Sequence, residues 1–178
     1  MSAIDFMNVQ ELTPAEICNL LQADYYDVIK TNLKKIQNYS EIPEGNGEEM
    51  EQAGLLTLLF AKLEDETQQM MRNDELIIFP LIRNDEQKKS CGATKMPIDM
   101  IQQMHKKIMT VLEKIRQVLN NYLPKPNWEA ELLETSNSMF RLEQQLQQAI
   151  YLKENQLLHK VKDRFNQKCS GNCKKLKE

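Results

Sequence analysis

Apolar and polar positions divide this chain into four stretches whose apolar residues return every three or four places, the spacing of helices with one buried stripe each. The first opens at Thr13-Pro14-Ala15-Glu16, where Thr13 can cap, Pro14 suits the first helical position and Glu16 closes a capping box. Its stripe, Ile17, Leu21, Tyr25, Tyr26, Ile29, Leu33 and Ile36, predicts a helix to about Gln37, and residues 39–47, with two glycines and a proline, read as a loop. The second begins near Glu48 and carries Leu55, Leu56, Leu59, Phe60, Leu63, Thr67, Met70, Asp74 and Ile77. Pro80 is expected to kink or end it at Phe79, and the polar run 83–89 reads as a solvated loop. The third follows Pro97 through Ile101, Met104, His105, Ile108, Leu112, Ile115, Leu119 and Tyr122. The fourth follows a cap at Asn127, with a stripe of Leu132, Met139, Leu142, Leu146, Ala149, Ile150, Lys153, Leu157 and Val161. From Asn166 onward the stripe is gone, and the segment reads as a mobile basic tail.

Four amphipathic helices with short or moderate connections predict an all-α protein, an antiparallel up-down-up-down four-helix bundle in which each stripe buries against two neighbours. The predicted organisation is an N-terminal extension over 1–12, the bundle over 13–167 and a basic, cysteine-containing tail over 168–178. Each helix can bring a polar or semi-polar residue of its stripe into the interior: Tyr26, Asp74, His105 and Lys153. Together they predict a polar layer inside the bundle, the place where bundles build cofactor sites.

Composition supports helix and narrows the function. Only five glycines and six prolines occur in 178 residues, and the net charge of −3 leaves no basic face for nucleic acid before the tail. No apolar run reaches the length of a membrane span and the first residues lack the features of a secretory signal, so a cytoplasmic location is expected. Four unevenly spaced cysteines, Cys18, Cys91, Cys169 and Cys173, do not form a secreted disulfide framework. Cys169 and Cys173 have neither zinc-ribbon nor thioredoxin spacing, and Cys91 has no fixed base beside it. The methionines at helical steps read as core filler rather than a thioether metal site. His105 alone could be either a core histidine with a hydrogen-bond partner or a metal ligand. No phosphate loop or serine triad is present, and no catalytic residue is assigned.

Several segments resemble one family as a set, over roughly residues 15 to 165. Cys91-Gly92, Pro97-Ile98 and His105 are similar to its Cys-Gly, Pro-Ile and Glu-His sequence leading into the third helix. Asp74-Glu75-Leu76-Ile77-Ile78-Phe79-Pro80 is similar to its Glu-Glu followed by Leu-Phe-Pro, and Glu154-Asn155-Gln156-Leu157-Leu158 to its Glu-Asn run in the fourth helix. Tyr26-Asp27, Lys30 and Leu33 resemble its first-helix His-Asp, Arg, Leu-Pro pattern. The family is that of the hemerythrin-like iron–sulfur cluster repair proteins, also called repair-of-iron-centres proteins.

The resemblance implies a four-helix bundle holding two irons by histidines and bridging glutamates, and a role in nitrosative and oxidative stress, acting on damaged iron–sulfur clusters or on nitric oxide. The ligands themselves are mostly exchanged. Tyr26 stands at the first-helix histidine, Met70 and Asp74 at the second helix's His-x-x-x-Glu, and Ala149 and Lys153 at the fourth's. The histidine opening the second helix falls near Gly47, His105 is kept, and His159 inherits no ligand role. The expectation is a diverged member with a lost or reduced site and no cofactor, its Lys153 charge offsetting Asp74. The alternative is an iron protein using the remnant His105, Asp74, Glu75 and Tyr26. Implied partners are iron–sulfur proteins or a metal-containing relative, with a homodimer allowed and neither nucleic acid nor membrane expected.

Overall fold

The computed structural model describes residues 9–37, 48–87, 97–126, 128 and 130–162. The first rod starts at a complete capping box: Thr13 Oγ1 accepts from the Glu16 N–H at 3.3 Å, and Glu16 Oε2 accepts from the Thr13 N–H at 2.8 Å. From there α1 (Pro14–Leu20) passes through a π-helical turn, Leu21–Tyr26, into α2 (Asp27–Gln37). The second rod is α3 (Glu48–Asn73), a π turn at Asp74–Ile78 and α4 (Phe79–Gln87). The third is α5 (Ile98–Val118), entered from Pro97. The fourth is α6 (Ala130–Leu152) with a π turn at Lys153–Leu157, and helix continues to residue 162.

The described residues are all-helical, without a strand, and their four rods are compatible with a four-helix bundle. The second rod packs along the third and the first along the fourth. The stripes meet in one core that includes Ile17, Ile29, Leu63, Ile108, Leu112 and Leu146. No helix among the described residues is long and apolar enough to cross a membrane. Val9 is buried ahead of the first rod, and Lys160 Nζ donates to the carbonyls of Gln10 at 2.6 Å and Leu12 at 2.9 Å.

Two boundaries differ from the sequence expectation. Pro80 does not end the second rod, which runs on to Gln87. The π turn just ahead slips the hydrogen bonding, so that the Phe79 N–H bonds the Asp74 carbonyl five residues back, and this slip absorbs the N–H that proline lacks. The start of the polar run is held as helix by Arg83, whose guanidinium lies 5.9 Å from the Phe79 ring centre and donates to Asn19 and Gln22 of the first rod. The third rod leaves the α-helix at Leu119, and Asn120, Asn121 and Tyr122 follow with φ of 49°, 56° and 63°. Asparagine tolerates this left-handed region, whereas tyrosine seldom enters it. Tyr122 is tethered there by its hydroxyl, which donates to Glu143 Oε2 at 2.6 Å, and by its ring, 5.6 Å from that of Phe140. The Asn127 cap, Cys91, Cys169 and Cys173, and the tail lie outside the described residues.

Candidate functional site

Each of the three π turns carries a polar side chain into the interior: Tyr26 closes the first, Asp74 opens the second and Lys153 opens the third. A π turn spends one extra residue on a helical turn, which re-aims the side chains around it and recurs at functional positions. Here it lets neighbouring residues share the core, as Tyr25 with Tyr26 and Leu152 with Lys153. Asp74 is the centre of the set, because its Oδ2 accepts from Tyr26 Oη at 2.5 Å and from Lys153 Nζ at 2.6 Å. All three side chains are sealed from solvent.

The layer is neutral as a unit, with one carboxylate, one ammonium and one phenol. Burial and then the Asp74 charge push the Tyr26 hydroxyl well above its ordinary pKa, which keeps it a donor. Burial pulls Lys153 below its usual value, and Asp74 pulls the other way. The Tyr26 ring is fixed by stacking on Phe79, with centroids 6.0 Å apart and planes inclined by 17°.

His105 is also buried, and its hydrogen-bonding partner is Glu154 rather than the triad. Its Nδ1 lies 2.8 Å from Glu154 Oε1, on the π turn that carries Lys153. Burial, and then the Lys153 charge, press its pKa down to about 3. The ring is therefore neutral at pH 7, Nδ1–H donates to the carboxylate, and Nε2 is left as a bare acceptor with no protein partner.

Glu75 does not join the layer. It faces outward, where its Oε1 meets Lys30 Nζ at 3.2 Å on the surface. Beside this pair lies an open groove between the first and second rods, lined by Lys30, Lys34, Glu64, Met71, Arg72 and Glu75. Met70 and Ala149, the other ligand positions of the resemblance, are apolar and fully buried. Among the described residues no three His, Cys, Asp or Glu side chains gather as a metal group. With Met70, Ala149 and Lys153 where the resemblance would put ligands, the described residues do not offer the donor set of two bridged irons.

A second buried polar cluster went unread in the sequence. Glu143 accepts from the Arg116 guanidinium through both oxygens, from Tyr122 Oη at 2.6 Å and from Gln147 Nε2 at 2.8 Å. A signal for it existed, since Glu143 lies four residues after Met139 and three before Leu146, on the buried stripe. This node fixes the third rod's left-handed end against the fourth rod. Comparison with protein families and with curated proteins finds no match for this chain.

Proposed function

We propose that this chain is a diverged, hemerythrin-like antiparallel bundle of the iron–sulfur cluster repair kind, which has exchanged a di-iron site for a metal-free polar layer and acts as a binding protein. The observation that carries this reading is the 2.6 Å hydrogen bond from Lys153 Nζ to Asp74 Oδ2. An ammonium on the carboxylate that would serve a metal satisfies that oxygen and neutralises its charge. A cation brought to the same oxygen would meet the lysine at a cost of about 4 kcal/mol per unit charge pair at 4 Å, for an effective dielectric near 20. The antiparallel arrangement is supported by the pairing of the third and fourth rods, where His105 meets Glu154 and Arg116 meets Glu143, one number rising as the other falls. The resemblance supplies the process and the partner class, an iron–sulfur protein or a relative that keeps its irons.

Metal analysis tests the reading on protein produced with iron supplied and purified without chelator. Substoichiometric iron and a featureless visible spectrum are expected; roughly two irons per chain with a charge-transfer band would overturn it.

One observation favours a second reading, a working metal site built on Tyr26, Asp74 and His105. His105 has Nδ1 anchored to a carboxylate and Nε2 bare, which is how a ligating histidine is commonly held. That reading requires Lys153 to leave Asp74 and, for Glu75 to take part, its release from Lys30. A stoichiometric metal in the same measurement would select it.

A further inference from the structure

The open groove between the first and second rods has a volume of about 280 Å³. Leu33 of α2 and Met71 of α3, both buried, give it an apolar floor, and its rim is charged. Lys30 Nζ and Glu75 Oε1 pair at 3.2 Å on that rim, and Glu64 Oε1 accepts from Gln68 Nε2 at 2.8 Å. Between these two contacts stand Lys34 and Arg72, one helical turn from the ion pair: Lys34 is four residues after Lys30 and Arg72 three before Glu75. Among the described residues neither side chain has a hydrogen bond or an ion pair. Where Lys30 meets a carboxylate, the next turn sets cation beside cation around one hollow. Like charges repel, and an anion between them turns the repulsion into two attractions.

Charge and size decide which anion fits. Three cations, Lys30, Lys34 and Arg72, oppose two carboxylates, Glu64 and Glu75, so the lining carries one positive charge in excess and one negative charge balances it. A phosphate dianion would overshoot that balance beside both glutamates. The volume lies at the small end of ligand pockets, which run from about 300 to 1,000 Å³, and suits a compact molecule rather than a nucleotide or a peptide. The planar fork of arginine matches a carboxylate, and the floor of Leu33 and Met71 favours an apolar body. We propose that this groove binds a small organic monocarboxylate, its oxygens held by Arg72 and Lys34 and its apolar body laid on Leu33 and Met71. Binding there draws on none of the buried Tyr26–Asp74–Lys153 layer, so it stands or falls separately from the metal-free reading.

Amide chemical-shift titration of the intact, nitrogen-labelled chain with phenylacetate tests this. Saturable shifts are expected at residues 30–34 and 64–75. Arg72→Gln and Lys34→Gln should each weaken binding about tenfold, the loss expected for one charge-assisted hydrogen bond. Lys62→Gln, an exposed lysine of α3 outside the groove, should leave the affinity unchanged. All three variants alter exposed side chains, so their folds should be those of the parent. Phenylacetamide, the neutral isostere, and inorganic phosphate should both bind more weakly than phenylacetate. The proposal is overturned by the absence of saturable shifts in the groove, by an affinity indifferent to Arg72→Gln and Lys34→Gln, or by an equal loss in Lys62→Gln. Phenylacetamide binding as well as the acid, or phosphate binding more tightly, overturns the assignment of a monocarboxylate.

Discussion

Lys153 Nζ and Asp74 Oδ2 lie 2.6 Å apart with both side chains sealed from solvent. Lys153→Met should therefore destabilise the fold by about 3–5 kcal/mol at neutral pH, since it leaves a carboxylate buried with only the Tyr26 hydroxyl. Adding Asp74→Leu should recover much of the loss, because an apolar pair needs no partner. The Tyr26 phenol is then the unsatisfied group, and Tyr26→Phe in the same chain should recover more. Denaturant melts of the set check this; simple additivity of the Lys153 and Asp74 changes would refute the coupling.

The histidine makes the fold acid-sensitive in a defined window. Its folded pKa of about 3 lies below the ordinary 6.5, so beneath pH 6.5 the unfolded chain takes up a proton that the folded chain refuses. Stability contributed by neutral His105 is complete above that value, falls as pH drops toward 3, and levels off below. Each tenfold difference in proton affinity between the folded and unfolded chain is worth about 1.4 kcal/mol. Over the window from 6.5 to about 3 the loss should be on the order of 4–5 kcal/mol. His105→Gln cannot take the proton, and its stability-against-pH curve should be flatter than the parent's. Parallel curves would mean that His105 titrates normally.

Thr67 offers a gain rather than a loss. Its hydroxyl is fully buried on α3 with no hydrogen-bond partner. Thr67→Val keeps the shape and removes the unsatisfied group, so the variant should be more stable by about 1–2 kcal/mol. A lower midpoint in urea would show that the hydroxyl has a partner after all.

Restoring the ligands of the resemblance tests whether the layer descends from a metal site. Met70 lies one turn before Asp74 and Ala149 one turn before Lys153, on the same helix faces and fully buried. Combining Tyr26→His, Met70→His, Ala149→His and Lys153→Glu should create iron affinity, read as iron retained through desalting and as new absorbance. It should remain incomplete, since the position near Gly47 supplies no histidine. A folded quadruple variant that takes up no iron would count against the resemblance.

The stripes were legible because burial in a helix leaves a period in the sequence, and Tyr26, Asp74, His105 and Lys153 stood out as polar residues inside that period. What the period does not record is a slip within it. The π turns at residues 21–26, 74–78 and 153–157 have no composition of their own, and so Pro80 looked like a terminator when the slip before it allows the helix to continue. Glu75 shows a related limit: it sits next to Asp74 in sequence, yet it turns to Lys30 on the surface. The partner of His105 was hidden for another reason. Glu154 is partly exposed and lies off the stripe, so a hydrogen bond reaching in from the rim leaves no periodic trace.

The three π turns also alter how this chain can be compared with others. Each is, in effect, a helix that has gained a residue without gaining a turn, and the gain occurs in the first, second and fourth rods but not across His105 in the third. A relative in which one of these turns is an ordinary α-turn would be shorter by one residue there and would keep the same faces on either side. An alignment drawn straight through, without a gap, would then pair core positions on one chain with surface positions on the other from that point onward. Residue-by-residue correspondence in these three helices is therefore best anchored separately before and after Tyr26, Asp74 and Lys153.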